Sequence, residues 1–220
     1  MLRISETNRI EAFSDGIFAI SATLLILEVK IPSQSIANVN GLSTALIELW
    51  PSYLAYIISF ITILVFWTHH HWIFSLMQRS DHSLVYWNGV LLLVVTFIPF
   101  PTGLLAEYLL HPQSKIAASI YTGNFLLVSL AFHGLWRHIS QEKRLLSNEA
   151  SLVEENNYDR ISEHYRFGPS SYLIAFLASF VSEILSVSLC LIIAIYFAIR
   201  AWPLEVSIPN KKKKYTDCDV

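Results

Sequence analysis

The chain has 220 residues, of which 54% are hydrophobic and 15% charged, with a formal net charge of −2. A soluble domain carries about 25% charged residues, so this composition cannot cover a water-facing surface and excludes both a soluble enzyme and a disordered chain. The charge balance gives no reason to expect a nucleic-acid partner. Two cysteines, Cys190 in an apolar run and Cys218 in a polar tail, make no disulfide framework. An integral membrane protein remains.

A membrane-crossing helix needs ~20 apolar residues, so stretches free of Asp, Glu, Lys and Arg mark the candidate spans. The first, over about 10–31, is short and acidic, with Asp15 and Glu28 bracketing the uncharged run Gly16–Leu27. No small-residue cleavage site follows it, so no cleaved leader is expected. Pro32–Ser52 reads as an external loop rich in Ser, Asn and Gly, with a short helix around Leu42–Leu49. Uncharged runs of 30 and 25 residues, Leu49–Gln78 and His82–Ala106, set the second and third spans at about 53–77 and 83–109. Pro99 and Pro101 predict a kink or local unwinding within the third. The 21-residue run Ile116–Trp136 makes a fourth span at about 116–137, and the charge-dense segment 138–166 reads as a helical cytoplasmic linker.

Two runs of 16 residues follow, Phe167–Ser182 and Ile184–Ile199, separated only by Glu183. Ser182-Glu183 has the form of an N-cap followed by a first-turn acid, which divides this stretch into spans at about 168–181 and 183–201. Residues 204–220, with the run Lys211–Lys214, are a basic solvated tail. With six spans, thirteen Lys and Arg residues fall on one side and only Lys30 and Lys115 on the other. Five spans would leave the two sides nearly equal. The positive-inside rule therefore selects six, with both termini in the cytoplasm.

The first span carries the unusual chemistry. A charge at the bilayer centre costs ~2.5–3.5 kcal/mol on insertion scales, and carboxylates at that depth face protein or water. Asp15 and Glu28 lie about 20 Å apart along a helix, so at least one sits in or at the edge of the hydrocarbon. The topology puts Arg9, Ser14 and Asp15 at the depth of Trp67, the run His69-His70-His71, and Asn88. A histidine and an asparagine from the second and third spans are the natural partners of Asp15, because buried polar groups need satisfying. Consecutive residues on a helix point about 100° apart, so the three histidines cannot chelate one metal ion together. Around the first helix, Ile20, Leu24 and Leu27 form an aliphatic stripe with Phe13 and Gly16. Ser14, Ser21 and Glu28 form a polar stripe, and Thr23 sits on the other flank. Burial logic alone turns the polar stripe toward water.

Arg9-Ile-Glu-Ala-Phe13-Ser14-Asp15 matches the pattern R-x-x-x-F-S-D, and the following residues Gly16–Glu28 continue it through the helix. This segment resembles the endosomal/lysosomal-type potassium channel family, as do Trp67-x-x-His70 and the stretch from Asn88 to Thr96-Phe97-Ile98-Pro99. The resemblance covers the first three spans and extends to the remainder only by hydropathy and topology. It implies a prokaryotic single-repeat member: an all-α membrane protein, six helices per chain, whose first helix lines the central pore of a homotetramer. No T-V-G-Y-G loop occurs, so a carbonyl-ring filter of the usual potassium-channel type is excluded. The resemblance instead implies a constriction at Ile20 extended by Leu24 and Leu27, a selectivity hydroxyl at Thr23, and a structural or gating network of Arg9, Phe13, Ser14, Asp15, Trp67, His70 and Asn88. It reverses the burial argument by making the aliphatic stripe the pore face.

The expected function is thus potassium permeation, potassium over sodium, across a prokaryotic inner membrane. No enzymatic activity, cofactor or metal is expected; potassium is the permeant species and the partners are lipid and further copies of the chain. A secondary cation transporter with Asp15 and Glu28 as coupling carboxylates is the rival, and it predicts an inverted repeat that the sequence does not display. Glu28, near the outer end, could concentrate cations at the entrance.

Overall fold

The computed structural model describes residues 6–34, 39, 41–146 and 155–201. These residues are almost wholly helical. In chain order the helices are α1 (Glu6–Leu24, continued by a 3₁₀ turn Leu25–Glu28), α2 (Leu42–Glu48), α3 (Trp50–Ser75), α4 (His82–Thr96), α5 (Pro99–Tyr108), α6 (Ser114–Gln141), α7 (Glu155–Ser179) and α8 (Glu183–Ala201). Among the described residues four segments are long and apolar enough to cross a membrane: Thr7–Glu28, Trp50–Ser75, His82–Tyr108 and Ser114–Gln141. Glu183–Ile199 is apolar but shorter, and α7 begins polar and becomes apolar only in its second half. The tail 202–220, including the Lys211–Lys214 run and Cys218, lies outside the described residues.

Local chemistry accounts for where the helices break. Pro99 and Pro101 have no N–H to donate four residues back. The backbone tightens instead, with Ile98 N–H on the carbonyl of Val95 at 3.1 Å and Phe100 N–H on that of Phe97 at 3.2 Å. α4 and α5 are thus one apolar rod with a tightened two-residue turn at Phe97-Ile98. Between α7 and α8 the chain turns at Phe180–Ser182, and Ser182 Oγ accepts the Leu185 N–H at 3.3 Å as the cap of α8. Within α7, Pro169 leaves the carbonyl of Tyr165 without its helical donor, and the His133 Nδ1–H of α6 fills that place at 3.3 Å.

α6 is the hub, packing against α4, α5, α7 and α8, while α1 lies along α3 and α4 on the far side. Phe66 of α3, Phe125 and Phe132 of α6 and Tyr172 of α7 form an aromatic centre with ring centroids 5.7–6.2 Å from Phe66. A buried hydroxyl cluster pins three helices: Ser59 Oγ of α3 lies 2.8 Å from Thr102 Oγ1 of α5 and 3.0 Å from Tyr121 OH of α6. All three residues are buried. In lipid such interhelical bonds contribute ~0.6 kcal/mol each on average.

A second tie joins the turn before α4 to the segment after α6. The N–H groups of Gln78 and Arg79 both donate to the carbonyl of Leu145, and Met77 and Leu146 form an antiparallel bridge. Asp81 caps α4 by accepting the Leu84 N–H at 2.8 Å and meets His138 Nε2 at 3.0 Å and Arg144 at 3.6 Å. Burial pushes the Asp81 carboxyl up, but the Leu84 N–H, His138 and Arg144 outweigh it and hold the group below its ordinary value.

Candidate functional site

α1 docks with one of its faces turned into its own bundle. Thr7, Ser14 and Ser21 follow one another at heptad spacing, Phe18 and Leu25 each lie four residues beyond a serine, and all five are buried against α3, α4 and α5. Ser14 and Ser21 are 0% and 1% exposed. Their hydroxyls can be buried because each donates within the helix, Ser14 Oγ to the carbonyl of Ile10 at 2.8 Å and Ser21 Oγ to that of Ile17 at 2.9 Å. The aliphatic stripe is uncovered: Ile20, Leu24 and Leu27 are 57%, 42% and 71% exposed. Burial logic had turned the polar stripe to water; the structure turns the aliphatic one outward. The physical reason is that the serines satisfy their own helix and need no water.

Thr23 is exposed on the flank of that stripe. Its Oγ1 donates to the carbonyl of Ile20 at 2.9 Å. The hydroxyl proton is thereby committed, and the oxygen lone pairs are left facing outward. Glu28 is half-buried, and its carboxylate lies across α5 at Gly103, where any Cβ would collide with it. Nearby, Lys30 Nζ and Glu107 Oε2 pair at 2.7 Å on the surface.

At the other end of α1 two polar contacts anchor the helix. His70 Nε2–H donates to Asn88 Oδ1 at 2.9 Å, because a carboxamide oxygen can only accept, and Asn88 Nδ2 donates to Ser14 Oγ at 3.0 Å. With Ser14 donating on to Ile10, this relay joins α3, α4 and α1 with a consistent direction. His70 stacks on Phe74 at 4.3 Å and lies 5.3 Å from Phe18. Beside it, Trp67 Nε1–H donates to Asp15 Oδ1 at 2.8 Å.

Ser14, His70 and Asn88 are therefore brought together, and Trp67 with Asp15. The partner of Asp15 differs from the sequence expectation: it is the indole of Trp67, and neither His70 nor Asn88. Ser14 takes that place because it faces α4 directly. Arg9 and Phe13 are exposed on α1 and join neither group. The three histidines diverge. His69 points into the bundle beside Tyr165 and Phe197, His70 to Asn88, and His71 Nδ1 outward to Glu11 Oε1 at 3.0 Å. The Glu11–His71 pair was not singled out by sequence reasoning, although it lies one turn from Asp15 and one residue from His70.

Comparison with known proteins places this geometry. The model of the family described as endosomal/lysosomal potassium channel TMEM175 matches residues 9–99. A protein of Chamaesiphon minutus named as a potassium channel is 55% identical over 197 residues, 90% of this chain and 96% of that one. Another so named, from Streptomyces collinus, is 36% identical over 210 residues, 95% of this chain and 98% of the relative. The crystal structure of a lysosomal potassium-selective channel TMEM175 homolog from Chamaesiphon minutus superposes with a TM-score of 0.81 at 52% identity, covering 89% of this chain and 98% of that structure.

Proposed function

The chain belongs to the endosomal/lysosomal potassium channel TMEM175 family, and on that premise we propose that it forms a homotetrameric potassium-permeable channel with α1 of each copy around a central pore. The family is one of ion channels and not of enzymes. Six spans, α1, α3, α4–α5, α6, the apolar half of α7, and α8, would place both termini in the cytoplasm of a prokaryotic inner membrane. The observation that carries this reading is the rotation of α1. An amphipathic helix that buries its hydroxyls and leaves Ile20, Leu24 and Leu27 uncovered offers its apolar side to something other than its own chain. One helix cannot enclose a pore, so symmetry-related copies must complete it.

In such a pore Ile20 is the constriction, and Leu24 and Leu27 extend the hydrophobic wall. An aliphatic ring gates by dewetting and by excluding ions that keep their full hydration shell. Thr23 supplies oxygen lone pairs beside it, since its proton is held by Ile20; a ring of hydroxyl oxygens favours the more easily dehydrated potassium ion over sodium. Potassium is the permeant species, and no cofactor enters the mechanism. Ser14, His70 and Asn88, together with Asp15 and Trp67, hold the angle of α1 against α3 and α4. Arg9 and Phe13, exposed in the single chain, are left to contacts between copies.

The test is reconstitution of the purified protein in a bilayer under opposed potassium and sodium gradients. A reversal potential that follows the potassium gradient is the expected result. A potential indifferent to which cation is on which side would refute potassium preference, and saturating low turnover without single-channel steps would replace the channel by a transporter.

A further inference from the structure

A groove of about 560 Å³ opens between α4 and α6 at the end of the bundle that carries the Asp81 cap. That volume is within the range of small-molecule sites, ~300–1,000 Å³. Trp87 lines it with its indole against Gly134; a Cβ at 134 would collide with the ring. The walls change character along the groove. Val90, Val94, Leu127 and Leu130 line the half nearer the middle of the bundle, and His133, Arg137, His138 and Gln141 the half at its end.

The polar half is not equally committed. His138 is held by Asp81 at 3.0 Å, and His133 spends its Nδ1–H on the carbonyl of Tyr165. Arg137 is exposed, and among the described residues its guanidinium has no ion pair and no hydrogen bond. The neighbouring carboxylate, Asp81, is already met by His138 and Arg144. An open apolar channel that ends at a free guanidinium has the polarity of a phospholipid, with a bidentate donor where the phosphate would lie. From Leu127 to Arg137 is ten residues, about 15 Å of helix, the reach of a headgroup and half an acyl chain in a ~30 Å hydrocarbon core. On the six-span topology this end faces the cytoplasmic leaflet.

We propose that the groove between α4 and α6 is a binding site for an anionic phospholipid, its phosphate on Arg137 and one acyl chain along Val90, Val94, Leu127 and Leu130. Trp87, Val90 and Val94 stand about 100–160° around α4 from Asn88, which meets α1, so the occupant acts on the bundle and not in the pore.

Trp87 provides the readout. The full chain is reconstituted in phosphatidylcholine vesicles containing, at equal mole fraction, either acyl-brominated phosphatidylglycerol or acyl-brominated phosphatidylcholine. The part of the tryptophan quenching that disappears in Trp87→Phe is the signal from the groove. Brominated phosphatidylglycerol should give a relative association constant about fivefold higher, the ratio corresponding to ~1 kcal/mol for one basic side chain near an anionic surface. Arg137→Gln should bring the ratio to one, and Arg137→Lys should keep most of it; both should leave the potassium reversal potential unchanged. Equal quenching by the two lipids, or a preference that survives Arg137→Gln, would overturn the proposal. So would the absence of Trp87 quenching by either lipid, which would mean that a second copy of the chain fills the groove. Loss of the preference on adding inorganic phosphate would overturn it as well, by showing an anion pocket that does not require the acyl chain.

Discussion

Ser14 and Ile20 lie about 120° apart on α1, and the packing of that helix buries one and exposes the other. Consequences at single residues follow from this rotation. If Ile20 forms the constriction, Ile20→Asn puts a polar group where a dewetted ring stood, and single-channel conductance should rise while larger cations become permeant; Ile20→Ala should act in the same direction through lost bulk. Unitary currents under potassium, rubidium and an organic monovalent cation measure both effects, and unchanged permeation in Ile20→Asn would remove the residue from the pore. Thr23→Ala removes an oxygen whose proton is already committed to Ile20. The helix loses one back-bond, which matters little, but a permeating ion loses a ligand from each copy. The potassium-to-sodium permeability ratio should fall while current persists, and a ratio equal to wild type would reduce Thr23 to a helix-surface threonine.

Much of the element-scale structure was legible because its causes are local. Run length and charge alone locate the apolar segments of α1, α3, α4–α5 and α6. The missing N–H of Pro99 predicts the tightened turn at Phe97-Ile98, and Ser182 announces the start of α8. Partners across helices were not legible in the same way. Asp15 meets Trp67 across 52 positions, and which of two neighbouring residues on α1 faces α3 depends on a rotation that no local pattern encodes. The link from His133 to the carbonyl freed by Pro169 spans 32 positions and depends on how α6 and α7 dock. Burial logic misses the exposed stripe because serines can satisfy their own helix. These pairings make a definite prediction. Asp15→Ala leaves the half-buried Trp67 N–H without an acceptor, at the lower end of the ~1–3 kcal/mol for a fully buried donor, and Trp67→Phe leaves the carboxylate without its donor. Each should lower the thermal midpoint of the assembled protein, and the double variant should be less than additive by ~0.5–3 kcal/mol. The cation permeability ratio of surviving channels should stay near wild type. Strict additivity would dissolve the pair, and an altered ion preference in fully assembled Asp15→Ala protein would place the carboxylate in the permeation path.

For the whole molecule, two ties outside the pore matter. One is the clasp that joins the turn before α4 to the segment after α6. The Asp81 carboxyl is held below its ordinary value, so its contribution is complete above the usual carboxylate range, ~3.9, and is lost as pH falls through the lowered value. The thermal midpoint should therefore drop in acid, and Asp81→Asn, which keeps an oxygen for the Leu84 N–H but no charge, should flatten that limb of the profile. An acid limb identical to wild type would remove Asp81 as its cause. The other tie is between copies. A single chain exposes one aliphatic face of α1, and a closed ring of identical faces is the assembly that leaves none of them unmatched. How many copies close the ring can be read from function. Wild-type and Ile20→Asn chains mixed before assembly give pores that hold every combination of the two helices, and each added asparagine changes the ring that sets conductance. Four copies predict five conductance classes, with binomial weights set by the mixing ratio, where a dimer predicts three. Counting the classes in single-channel records, with the mass of the detergent-solubilised particle as an independent check, decides the number. Only two classes, pure wild type and pure variant, would mean that conduction is confined to a pathway inside each chain, and the central pore lined by α1 would have to be abandoned.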